Sequence, residues 1–180
     1  MPVHIALLRA VNVSGTGKLP MAELRAACAD AGLRKVSTYI ASGNLLFESD
    51  LDVVGVTGVV TTVLRERFGL VKNDVIVRSP AQIEAAIAEN PMPEPAAARP
   101  NLYYAAFLAG VPGPDAAART AAWPGPERIV LGAGHVYVDY PNGAGTSKLT
   151  PNVLERMLGT ASTARNWNTV NKLVELARAM

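Results

Sequence analysis

Residues 36–68, VSTYIASGNLLFESDLDVVGVTGVVTTVLRERF, decide the fold. Val36–Ala41 and Leu45–Glu48 are predicted strands, and Ser42-Gly43-Asn44 between them is a short hairpin turn. Val53–Phe68 is rich in valine, which by propensity suits a strand. Its period says otherwise. Val56, Val59, Val60, Val63 and Leu64 recur at helical spacing, so the segment is predicted to be a helix.

On the C-terminal side, Val75–Arg78 is a further strand. On the N-terminal side, Val3–Val11 is a strand with apolar residues on both faces. Val3, Ile5, Leu7 and Val11 are expected on one face, with Arg9 among them; Ala6, Leu8 and Ala10 are expected on the other. Asn12–Leu19 is a loop broken by Gly15 and Gly17. Pro20 suits a helix start and Gly32 a helix stop, with Met21, Leu24, Cys28 and Ala31 forming the apolar stripe between them. The order is strand–helix–strand–strand–helix–strand, the split βαβ pattern of ferredoxin-like domains.

Most of that order recurs. Ser79 caps a short helix to Glu89, and Asn90–Pro100, with four prolines, reads as a connector. Strand Leu102–Leu108, helix Pro114–Trp123 and strands Arg128–Leu131 and His135–Tyr140 follow, the last two joined by Gly132-Ala133-Gly134. A second glycine loop, Asn142–Lys148, precedes a helix from Thr150-Pro151 to Leu158, and a terminal helix covers about Trp167–Ala179. The fold class is therefore α/β of the α+β kind: duplicated ferredoxin-like subdomains with mostly antiparallel sheets and a C-terminal helical extension. The expected division is residues 1–90 and 91–180. Ala6, Leu8 and Ala10 are expected on the first sheet's open face, which the second half or a partner subunit must cover.

Composition bounds the function. Among 180 residues, 17 basic and 15 acidic groups give a net charge of +2, so a long nucleic-acid track is not suggested. The single cysteine excludes an internal disulfide and a cysteine-based zinc site, and no histidine pair has metal-ligand spacing. The first residues lack a leader pattern, and no apolar run approaches the ~18 residues of a membrane span, so a soluble cytoplasmic protein is expected.

Three places stand out as candidate binding groups. The loops Ser14-Gly15-Thr16-Gly17-Lys18 and Gly143-Ala144-Gly145-Thr146-Ser147-Lys148 each precede a helix. Glycine frees backbone N–H groups there, and a lysine adds charge, which together make an anion cradle. The first loop matches neither a P-loop, since Asn12 takes the first glycine position and Leu19 follows Lys18, nor a dinucleotide fingerprint, since Pro20 replaces its last glycine. Thr163-Ala164-Arg165-Asn166-Trp167-Asn168-Thr169 is the second place. Thr163 or Asn166 suits a helix cap, Trp167 a core anchor, and Arg165 recognition of a phosphate or carboxylate. Arg9 is the third: a charge in an apolar strand needs a partner, whether an internal carboxylate or a ligand anion. Tyr39, Ser42 and Asn44 crowd one hairpin and line a site in the same reading, although turn chemistry accounts for Ser42 and Asn44.

The segments His4–Val13, Met21–Leu24, Thr38–Phe47 and Thr163–Val170 resemble those of a bacterial family known as domain of unknown function 1697. The resemblance implies a duplicated ferredoxin-like architecture and carries with it no reaction, cofactor or partner. Ser14 and Thr16 depart modestly from the family's first loop.

The reading that follows is a small phosphorylated or nucleotide-like anion bound at the junction of the two halves. Its residues are Arg9, Asn12, Lys18, Tyr39, Ser42, Asn44, Lys148, Arg165 and Asn166. Two alternatives stand beside it: an enzyme acting on such an anion, with Tyr39 or a serine assisting proton transfer, and an interaction or homo-oligomeric scaffold whose polar clusters are caps and ion pairs.

Overall fold

The computed structural model describes residues 1–13 and 18–180. They divide into two compact units, Met1–Gln82 with Leu173–Met180, and Ile83–Lys172. The first contains β1 (Val3–Leu8), α1 (Met21–Asp30), β2 (Arg34–Tyr39), β3 (Asn44–Glu48), α2 (Val53–Phe68) and β4 (Val75–Arg78). Its sheet order is β2-β3-β1-β4, with every neighbouring pair antiparallel. This is the ferredoxin-like arrangement.

The chain continues through α3 (Pro80–Ala88), α4 (Pro93–Ala98), β5 (Tyr103–Leu108), α5 (Ala116–Ala121), β6 (Arg128–Leu131) and β7 (His135–Asp139). It ends with α6 (Pro151–Leu158), β8 (Ser162–Asn166) and α7 (Trp167–Arg178). The second sheet is β6-β7-β5-β8, antiparallel throughout, so it repeats the first sheet's topology.

Period outweighed propensity at α2. Val56, Val60, Val63 and Leu64 are buried, and packing of that face overrides the weak preference of valine for strands. Asp52 starts the helix by accepting the Gly55 N–H at 2.8 Å, and Gly69, at φ 66°, ends it.

The first core joins Ala6, Leu8, Leu45 and Phe47 of the sheet to Leu24 and Cys28 of α1 and Val56, Val60 and Leu64 of α2. Ala6 and Leu8 therefore lie on the helix-covered face, not the open one. The expected alternation also fails past Leu8. Ala10 has φ 55°, which breaks the two-residue period, so Ala10 is exposed while Val11 joins the same core as Leu8 and leaves the face of Arg9.

Cys28 is fully buried, and that burial pushes its thiol up to about 11. A thiol-reactive disulfide reagent at about pH 8 should leave it untouched until the chain unfolds, because thiolate is both scarce and inaccessible. Stoichiometric labelling in native buffer within minutes would contradict this placement.

In the second unit, Ala106, Leu108, Val136 and Val138 pack with Ala116, Leu154 and Leu158. Tyr103 meets the Trp167 ring edge-on with centroids 5.1 Å apart and stacks on Tyr137 at 6.4 Å. Trp167 is thus the core anchor expected of it.

Two expectations are corrected here. The proline-rich connector contains α4, because Pro93 and Pro95 sit in a first turn where no N–H is needed. The segment before Trp167 is not a helix start but the edge strand β8, paired with β5 from Leu108↔Ser162 to Tyr104↔Asn166. The cap itself is Asn166, whose Oδ1 accepts the Thr169 N–H at 3.0 Å. No helix among the described residues is long and apolar enough to cross a membrane.

Candidate functional site

The end of β1 is tied by several bonds from other parts of the first unit. The Leu8 N–H donates to Gly43 O at 2.8 Å, which brings the β2–β3 turn against the strand end. The Arg9 N–H donates to Asp74 O at 3.0 Å. Asn73 Nδ2 then donates to both Arg9 O and Ala10 O, at 2.9 and 3.0 Å.

Asn12 closes the loop above. Its Nδ2 donates to Leu19 O at 2.9 Å and to Ala41 O at 2.8 Å, while its Oδ1 accepts the Leu19 N–H at 2.7 Å. One amide thus joins both ends of the glycine loop to the β2–β3 turn. Residues 14–17 of that loop lie outside the described residues; Lys18, at its end, is exposed.

The backbone here is strained. Ala10, Asn12 and Ile40 all have left-handed φ, at 55°, 51° and 51°. Asparagine tolerates that region, but isoleucine is β-branched and rarely adopts it. Val13 and Ile40 flank the Asn12–Ala41 bond in sequence and are each about half exposed.

Arg9 Nη1 is 3.6 Å from Asp74 Oδ2, with the two side chains 26% and 47% exposed. A long, solvated pair of this kind contributes little to stability. Asn44 is fully buried and donates from Nδ2 to Tyr39 O at 2.9 Å and Ser42 Oγ at 3.3 Å, so it shapes the turn. Arg9, Asn12, Tyr39, Ser42 and Asn44 are therefore gathered at one sheet end. Sequence reading missed Asn73 and Asp74, whose only local signal is a polar pair just before a strand.

The second unit repeats this strand end with different residues. The Leu108 N–H donates to Gly134 O at 3.0 Å, as that of Leu8 does to Gly43 O. The Ala109 N–H donates to Ala161 O at 2.9 Å, as that of Arg9 does to Asp74 O. The Gly110 N–H donates to Thr160 Oγ1 at 2.9 Å, where Asn73 serves the first unit. The charges are absent from these positions, and all the left-handed non-glycine residues among those described belong to the first unit.

The remaining candidates belong to the second unit. Lys148 is exposed at the end of the second glycine loop, which forms a short 3-10 turn at Ala144–Thr146. The neighbouring Ser147 hydroxyl already donates to an internal carboxylate, Glu127. Arg165 is only 6% exposed in β8, and burial lowers its guanidinium to about 10. It donates to Thr163 Oγ1 at 2.7 Å and to Ala164 O at 2.9 Å. Asn166 is the α7 cap. Among the described residues no group of three His, Cys, Asp or Glu side chains is placed to hold a metal ion.

A ferredoxin-like α/β unit, repeated once in the same sheet order and with matching backbone bonds at the end of each first strand, defines the class of protein. Residues 1–137 match the family described as Protein of unknown function (DUF1697), and the chain belongs to that family. The terminal segment 163–170 lies beyond the matched residues. Among solved structures, the conserved bacterial protein SP0830 from Streptococcus pneumoniae is similar, with a TM-score of 0.78 and 22% sequence identity over 99% of each chain. At that identity the likeness shows the fold. No curated protein matches.

Proposed function

We propose that this chain binds a small phosphorylated or nucleotide-like anion, and that it does so at the end of the first sheet. The support is the comparison between its own two copies. The second copy completes the same strand end with Ala109 and Ala161, so the architecture requires neither Arg9 nor Asp74 nor a left-handed Ala10. Each strained residue costs about 1–3 kcal/mol, and such strain concentrates at ligand sites. Arg9 and Lys18 supply positive charge. Backbone in the left-handed region turns successive N–H groups to one side, as anion-binding nests do. Val13 and Ile40 offer apolar surface for a base or ring beside that charge. The setting we propose is the cytoplasm, where a lone thiol such as Cys28 stays reduced.

Calorimetry with pyrophosphate and with a nucleoside monophosphate tests the proposal. Lys18→Glu should weaken binding at least about tenfold, since it turns an attractive charge into a repulsive one. Arg9→Ala, which copies Ala109, should also lose affinity while keeping the melting temperature of the parent. Affinity untouched by Lys18→Glu, or no heat with either anion, would end the proposal.

A further inference from the structure

The second unit holds a cavity of about 480 Å³, within the range of small-molecule sites. One wall is Trp123-Pro124-Gly125-Pro126-Glu127, a loop folded back on itself. Trp123 Nε1 donates to Glu127 Oε2 at 2.8 Å, and Ser147 Oγ donates to Glu127 Oε1. The Leu149 N–H donates to Ser147 Oγ at 2.9 Å, so the serine's own proton is directed at the carboxylate. Partial burial works against ionisation of Glu127, but the bonds from Ser147 and Trp123 outweigh it and hold the carboxyl below its usual range. A Cβ on Gly125 would come within 2.5 Å of Trp123 Nε1 and closer still to Glu127 Oε2, so the Trp–Glu pair sits hard against a backbone that has no side chain.

Lys148 and Asn142 line the same cavity. Among the described residues, no ion pair joins Lys148 to Glu127. A free anion would meet the fixed carboxylate, and a bare amine would meet the lysine. A molecule carrying both charges satisfies both. We infer that this cavity takes a small amino-acid-type zwitterion with an apolar side chain. Its ammonium sits against Glu127 and the Trp123 indole, its carboxylate toward Lys148 and Asn142, and its side chain along Pro124 and Pro126.

The test is an NMR titration of the full chain that follows the Trp123 indole N–H. Phenylalanine and leucine should shift that signal and saturate it. Phenylalaninamide and N-acetylphenylalanine, each lacking one charge, should bind about tenfold more weakly, as loss of one charge-assisted contact predicts. Lys148→Ala, at an exposed position that leaves folding intact, should weaken phenylalanine and spare phenylalaninamide. Glu127→Gln, of the same shape, should weaken both. Pyrophosphate should leave the Trp123 signal in place, which separates this site from the one proposed on the first sheet. A Trp123 signal unmoved by either amino acid, or equal binding of the free and blocked forms, would overturn the inference.

Discussion

Gly43→Ala should cost about 3 kcal/mol, the sum of a left-handed backbone penalty and an overpacked core. Gly43 has φ 85°, and a Cβ there would lie 2.5 Å from Val11 Cγ2 and 2.8 Å from Leu8 Cβ. Neither neighbour has room to move, because both are buried in the core under α1 and α2. The Gly43 carbonyl also accepts the Leu8 N–H, so a shifted turn loosens the strand end as well. Gly69→Ala is the control. Gly69 has φ 66° but nothing within 4 Å of its would-be Cβ, so it should lose only about 1 kcal/mol. Denaturant unfolding of both variants separates clash from strain. Equal losses at the two glycines would show that the β2–β3 turn is not wedged against the strand as described.

Asp139→Asn should cost about 2 kcal/mol, because it removes a buried carboxylate from the centre of a charge cluster whose two arginines are partly exposed. Asp139 is 1% exposed. It accepts two bonds from Arg99, Nε at 3.0 Å and Nη2 at 2.7 Å, and one from Arg128 Nη2 at 3.2 Å. Burial raises the carboxyl's pKa, but the two guanidiniums outweigh it and leave the group below its usual value. The sign follows. A depressed folded pKa adds stability that is fully present above the unfolded value of about 3.9 and is lost as pH falls through the folded value. The stability gap between parent and Asp139→Asn should therefore be constant from neutral pH to about pH 5 and narrow in stronger acid. A gap that stays the same down to acid unfolding would mean that Asp139 contributes through shape rather than charge.

How much of this was legible depended on whether the signal was periodic. The α2 stripe of Val56, Val60 and Leu64 repeats over several turns, so burial could be read from spacing even against propensity. β8 offered no such signal. Ser162-Thr163-Ala164-Arg165-Asn166 is five residues on a sheet edge with no run of alternating apolar groups, and its helix-capping end, Asn166, masked the strand before it. Topology could have found it: in the first copy β4 pairs with β1, so the second copy owed β5 a partner after α6. Missing that strand also hid the burial of Arg165. At the first sheet's end, Arg9, Asn12 and Ser42 were visible as polar residues beside glycine breaks. Asn73 was not, because the bonds it makes to the strand end reach back across more than 60 residues. Local spacing carries no record of such a tie.

The matched bonds at Leu8 and Leu108 make the molecule its own blank. The second copy supplies a reference at the same concentration, pH and salt. A change in backbone signal at residue 9 that is missing at residue 109 reports a ligand; a change common to both reports the solvent. The repeated sheet order thus places probe and control within a single polypeptide.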